Sequence, residues 1–143
     1  MAEYTPCVCL DFDGVIHAYE RWTGKADIPN PPVEGIADFM RKLKELGYDI
    51  AVCSSRASEE SGRLAIIQWM KKYDLHKYIW CVSDVKPPAV AYVDDRGVCF
   101  EGDFGAALKS IEDLRNNGNW IKRGKQAQPL IASSPYRDSL KMM

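Results

Sequence analysis

The sequence predicts an α/β domain: a doubly wound, mostly parallel sheet of about five strands with helices on both faces. Two observations lead there. Short apolar runs alternate along the chain with longer stretches whose apolar residues recur at helical spacing. The runs are also continuously apolar rather than alternating, as in parallel strands buried on both faces. With 143 residues, 46% of them hydrophobic and 27% charged, the chain is long enough for one core of its own.

The first strand is Cys7-Val8-Cys9-Leu10, ending abruptly in acids and a glycine. Residues from about 16 to 32 are irregular, broken by Gly24, Pro29, Pro31 and Pro32, and read as a flap after that strand. Val33, Ile36, Phe39, Met40, Leu43 and Leu46 then mark a helix that stops at Gly47. Asp49-Ile50-Ala51-Val52-Cys53 is the second strand. A second helix is expected from about Ser58, with Glu59 and Glu60 at its positive end and an apolar face of Leu64, Ile67, Met70 and Trp69. The third and fourth strands are expected at Tyr78–Val82 and Ala89–Val93, with a short fifth at Val98–Phe100. Phe104, Ala107, Leu108, Ile111 and Leu114 mark a last amphipathic helix, ending near Asn116-Asn117-Gly118. The alternation describes a Rossmann-like domain over residues 1–118. From Asn119 onward Lys122, Arg123, Lys125, Arg137 and Lys141 face a single acid, Asp138. That segment, 119–143, reads as a basic tail or loose wrap, a solvated terminus rather than an RNA-binding arm.

Composition narrows the class. A formal net charge of −1 gives no global attraction to nucleic acid or an anionic membrane. The apolar runs are far too short for a membrane span, and Met1 to Pro6 lack the basic start and apolar stretch of a signal peptide. A cytoplasmic protein with no membrane partner is expected. There are five cysteines, an odd number with no CxxC, each in or beside a strand-like run. Buried thiols are expected rather than disulfides or a zinc site.

Polar residues suited to phosphate chemistry collect at the strand ends. The first strand ends at Asp11 and Asp13, the second at Ser54, and the fourth at Asp94 and Asp95. In an open parallel sheet ligands bind at the carboxyl ends of strands, where strand order reverses, so these residues should share one rim. Clustered carboxylates repel one another without a cation, and their hard oxygens suit Mg2+. Lys86 adds a second positive charge and the Ser54 hydroxyl a hydrogen bond to a phosphoryl oxygen. Phosphoryl transfer depends mainly on such positioning and charge neutralisation.

These residues resemble the four ordered motifs of the haloacid dehalogenase-like (HAD) superfamily. Leu10-Asp11-Phe12-Asp13-Gly14-Val15 is similar to its first motif, Ile50-Ala51-Val52-Cys53-Ser54 to its second, Lys86 to its third, and Tyr92-Val93-Asp94-Asp95 to its acidic fourth. The likeness spans about residues 6 to 116 and implies a magnesium-dependent phosphomonoesterase. By resemblance, Asp11 is the nucleophile that forms an aspartyl-phosphate, and Asp13 protonates the leaving group and then activates water. Ser54 and Lys86 bind the phosphoryl group, with Ser55 as a second candidate beside Ser54. Asp11, Asp13, Asp94 and Asp95 hold the metal.

Asp13 and Ser54 are 41 positions apart, and Ser54 and Lys86 are 32 apart, too few in either gap for an inserted domain. The resemblance then implies a capless member, acting on a large substrate or borrowing a neighbouring subunit of a homo-oligomer as lid. Arg56 is a candidate for a second anionic group of the substrate, or else a solvent-exposed arginine at the helix entry. Arg21, with Tyr19, Glu20, Trp22 and Lys25 on the flap, is a candidate for substrate contact or for packing the flap down. His17 is a further polar candidate. The expected substrate is a nucleotide, a sugar phosphate or a polynucleotide end. The alternative is a catalytically silent phosphate-binding or regulatory module on the same fold. A phospho-accepting receiver domain is excluded, because its acceptor Asp lies on a later strand and its Lys near the chain end.

Overall fold

A computed structural model describes residues 5–117; the basic segment 119–143 lies outside them. The described chain divides into two compact units, one of residues up to 19 and 23–97, the other of residues 20–22 and from 98 onward.

The first unit is α/β. Its strands β1 (Cys7–Asp11), β2 (Asp49–Cys53), β3 (Cys81–Ser83) and β4 (Ala91–Val93) form one sheet in the order β3-β2-β1-β4. Every pairing is parallel. The helices α1 (Ile36–Glu45) and α2 (Glu60–Lys72) connect β1 to β2 and β2 to β3. The apolar side chains of both helices join one sheet face, in a core of Val8, Leu10, Ile50 and Val52 with Ile36, Met40, Ile66 and Met70, so within this unit the two helices cover one face rather than both as expected. Burying each large aliphatic side chain contributes about 1.5–3 kcal/mol, so this layer dominates the stability of the unit. The opposite sheet face carries Cys7, Cys9, Ala51 and Cys53, packed with Cys81 and Ala89.

Several elements differ from the sequence expectation, each for a local reason. In α1 the buried stripe is Ile36 and Met40 with Leu43 packed against it, while Phe39 and Leu46 are exposed. The second helix begins at Glu60 because Ser55–Ser58 is a 3-10 turn, whose Arg56 N–H is accepted by Ser54 Oγ at 3.1 Å. Its buried face is Gly62, Ile66, Trp69 and Met70, so Leu64 faces solvent. A second 3-10 turn at His76–Tyr78 shortens the third strand to Cys81–Ser83, and Tyr78 and Ile79 pack against the core instead. The fourth strand is three residues, Ala91–Val93, and Val98–Phe100 forms no strand. The sheet of the described residues therefore has four strands rather than five.

In the second unit the last helix, α3 (Phe104–Asn117), is present as expected. Asp103 Oδ1 caps it by accepting the Gly105 N–H at 2.8 Å. Phe104, Leu108 and Ile111 are exposed, and the Phe100 and Phe104 rings meet with centroids 4.8 Å apart. Cys7, Cys9 and Cys53 are buried as expected, whereas Cys99 is exposed because no strand carries it inward. No helix of the described residues is long and apolar enough to cross a membrane.

Candidate active site

The chain order reverses at β1: β2 and β3 lie to one side of it, and β4 returns on the other. Such a reversal opens a crevice at the carboxyl ends of the strands. Leu10 pairs with Val93, so the next residues, Asp11 and Asp94, lie side by side at the carboxyl edge of the sheet. One carboxylate oxygen from each of Asp11, Asp94 and Asp95 lies within 4.8 Å of the others. Asp11, Asp13, Asp94, Asp95 and Arg96 line a cavity of about 230 Å³ at this rim.

Crowding of acids has an electrostatic consequence. Burial, followed by the charges of Asp94, Asp95 and Asp13, pushes the Asp11 carboxyl up to about 7. A bound cation would relieve that repulsion. The three clustered side chains are all carboxylates, a hard oxygen set of the kind that would suit Mg2+ rather than a soft metal. Gly14 shapes the same corner: its φ is +92°, and a Cβ there would lie 2.3 Å from Asp95 Oδ2. Glycine alone accepts both the left-handed turn and the carboxylate lying over it.

Asp13 lines the cavity yet is held from behind. Burial alone would raise its carboxyl, but hydrogen bonds from His17 and Arg56, together with the Arg56 charge, hold it below the ordinary carboxylate range. Arg56, a candidate for substrate contact from its position in sequence, is fully buried. It donates to Asp13 from Nε at 2.8 Å and from Nη2 at 3.1 Å. His17 is buried as well, its ring stacked on Phe12 and edge-on to Trp69. These two side chains touch the inner side of the site.

Ser54, Ser55 and Lys86 are not among the residues that line the cavity. Ser54 is buried at the end of β2, its Oγ capping the following turn, and Ser55 is exposed. Lys86 is half-exposed, with Nζ 3.4 Å from Asp94 Oδ2 and over the Tyr92 ring. Arg21 is exposed and belongs to the second unit. Arg96 is a residue that sequence reasoning missed. Its backbone N–H donates to Asp94 Oδ1 at 2.8 Å, and its Nε lies 4.0 Å from Asp95 Oδ1. The available signal was a cation directly after Asp94-Asp95.

Compared with known proteins, the chain matches no family model, and no curated protein matches it at a significant level.

Proposed function

We propose that the chain is a magnesium-dependent phosphohydrolase of the haloacid dehalogenase-like type, acting on phosphate monoesters through Asp11. The observation that carries this reading is the meeting of Asp11, Asp94 and Asp95 within 4.8 Å at the switch point of a parallel sheet. These three carboxylates would hold Mg2+, which when bound neutralises charge so that a phosphate dianion can approach.

In this reading Asp11 attacks phosphorus and the bond to the leaving oxygen breaks; Asp13, held ionised by Arg56 and His17 in the free chain, takes up a proton as the phosphate dianion binds and passes it to that oxygen. Asp13 then withdraws a proton from water, which attacks the aspartyl-phosphate and frees both Asp11 and inorganic phosphate. Among the described residues, Lys86, close to Asp94, and Arg96, on the cavity wall beside Asp95, are cations proposed to meet the phosphoryl oxygens. Ser54 is proposed to donate its hydroxyl hydrogen to one of them, since its oxygen already accepts the Arg56 N–H.

The substrate class is a nucleotide, a sugar phosphate or a polynucleotide end. Phosphate release from an aryl phosphate, with magnesium and after its removal by a chelator, tests the reaction. Release that depends on magnesium supports it. Phosphate binding without release would instead favour a silent phosphate-binding module. A panel of mononucleotides, sugar phosphates and end-phosphorylated oligonucleotides then separates the substrate classes.

A further inference from the structure

The Asp13 carboxylate is where two separated pieces of chain are tied together. Its Oδ1 accepts from His17 Nδ1 at 2.8 Å and from Arg56 Nη2 at 3.1 Å, and its Oδ2 accepts from Arg56 Nε at 2.8 Å. The third nitrogen of the same guanidinium, Nη1, donates to the carbonyls of Gly24 at 2.6 Å, Lys25 at 3.0 Å and Asp27 at 2.9 Å. The far ring nitrogen of His17, Nε2, accepts the Asn30 N–H at 3.2 Å. With Nε2 an acceptor, Nδ1 bears the hydrogen that reaches Asp13. Both ends of the 24–30 segment are thus joined to one carboxylate, each through a single buried side chain.

The surroundings over-determine this arrangement. Arg56 and His17 are 0% and 1% exposed, so neither can exchange its partner for water without moving. The Arg56 backbone is set by Ser54 Oγ and by α2, where Gly62 leaves room: a Cβ there would lie 1.9 Å from the Arg56 carbonyl oxygen. Lys25 adds a second latch, donating to Ser58 Oγ at 2.8 Å and to Glu59 Oε1 at 3.0 Å. A planar guanidinium can grip both carboxylate oxygens and still present a third nitrogen, which an ammonium cannot do with the same geometry.

We propose that Arg56, assisted by His17, is a positioning residue for Asp13, coupling that carboxylate to the 24–30 backbone so that the two hold or shift together. The rate consequence rests on the phosphohydrolase reading above; the coupling itself does not. Asp13 then meets a leaving-group oxygen only in the orientation that the fork allows. A substrate that displaces residues 24–30 also displaces Asp13.

The test uses the full chain and its Arg56→Lys and Asp13→Asn variants. Two phosphate monoesters are compared with magnesium present: an aryl ester whose nitrophenolate leaves without a proton, and an alkyl ester whose alkoxide requires one. Arg56→Lys is expected to lower kcat on the alkyl ester at least about tenfold more than on the aryl ester, with both KM values within about threefold. Equal losses on the two esters would mean that Arg56 only supports the fold, and would overturn the positioning role. Backbone hydrogen exchange over residues 24–30 gives a readout independent of turnover, with α1 as the standard for overall stability. Exchange at Asp27 and Asn30 is expected to accelerate about tenfold in both variants while α1 is unchanged. No change in Asp13→Asn would refute the coupling. If the native chain hydrolyses neither ester, the phosphohydrolase reading fails and the exchange result still decides the coupling.

Discussion

Asp13 and Arg56 form a two-pronged ion pair, 2.8 and 3.1 Å long, with the arginine wholly removed from solvent. Removing one partner of a buried pair leaves the other charge without compensation, which costs about 3–5 kcal/mol. Arg56→Ala is therefore expected to lower the free energy of unfolding by about that much, read from urea denaturation. Arg41, paired with Asp38 and Glu45 on an exposed face of α1, is the control. Its replacement by Ala should leave the midpoint almost unmoved. Similar small effects at both positions would contradict the assigned role of the Asp13–Arg56 pair.

Asp11 sets a pH dependence. Its folded-state value of about 7 lies above the ordinary carboxylate value near 3.9, so the folded chain binds its proton more tightly than the unfolded chain does. Stability from this group is complete below pH ~4 and falls as pH rises toward ~7. The upper limit is about 4 kcal/mol, and solvent screening at a partly exposed site brings it to about 1–2 kcal/mol. Without metal, the melting temperature of the native chain relative to that of Asp11→Asn should be lower at pH 8 than at pH 5, by several degrees. Parallel pH profiles for the two proteins would count against the repulsion described among these acids.

Gly14 is expected to be intolerant of a methyl group. Its left-handed φ makes Ala unfavourable by about 1–2 kcal/mol, and the added carbon would collide with Asp95 Oδ2. Gly14→Ala should keep the fold but weaken magnesium binding by at least about tenfold, a loss near 1.4 kcal/mol, measured by titration calorimetry. Undiminished binding would show that Asp95 can hold metal from another position.

The cysteines should react in a fixed order. Cys99 is exposed, whereas burial, then the neighbouring Cys53, pushes the Cys9 thiol up to about 12. Maleimide labelling followed by peptide mass spectrometry should modify Cys99 in the native protein, and Cys9 only after unfolding. Early labelling of Cys9 would place the sheet face open to solvent.

Strand ends were legible in the sequence because continuous apolar runs stop abruptly at acids. That pattern alone assigns Asp11, Asp13, Ser54, Asp94 and Asp95 to one rim; the four acids line one cavity, and Ser54 is not among its lining residues. Arg56 was not legible. Its position after the serines suggested outward recognition, but the 3-10 turn that begins at Ser55 and the contact with Gly62 turn its side chain inward. Helical spacing alone could not say which of two neighbouring stripes of α2 is buried, and the aromatic packing of Trp69 on Phe12 and His17 decided it. Tyr78 and Ile79 read as strand in the sequence because they are apolar, but their apolar side chains serve the core and not the sheet.

The most direct test of the central claim is acid-quenched mass spectrometry of the peptide containing Asp11, taken during turnover of an aryl phosphate with magnesium present. One added phosphoryl group on Asp11 is expected in the native chain, and neither adduct nor phosphate release in Asp11→Asn. Native-rate release from Asp11→Asn would contradict that claim.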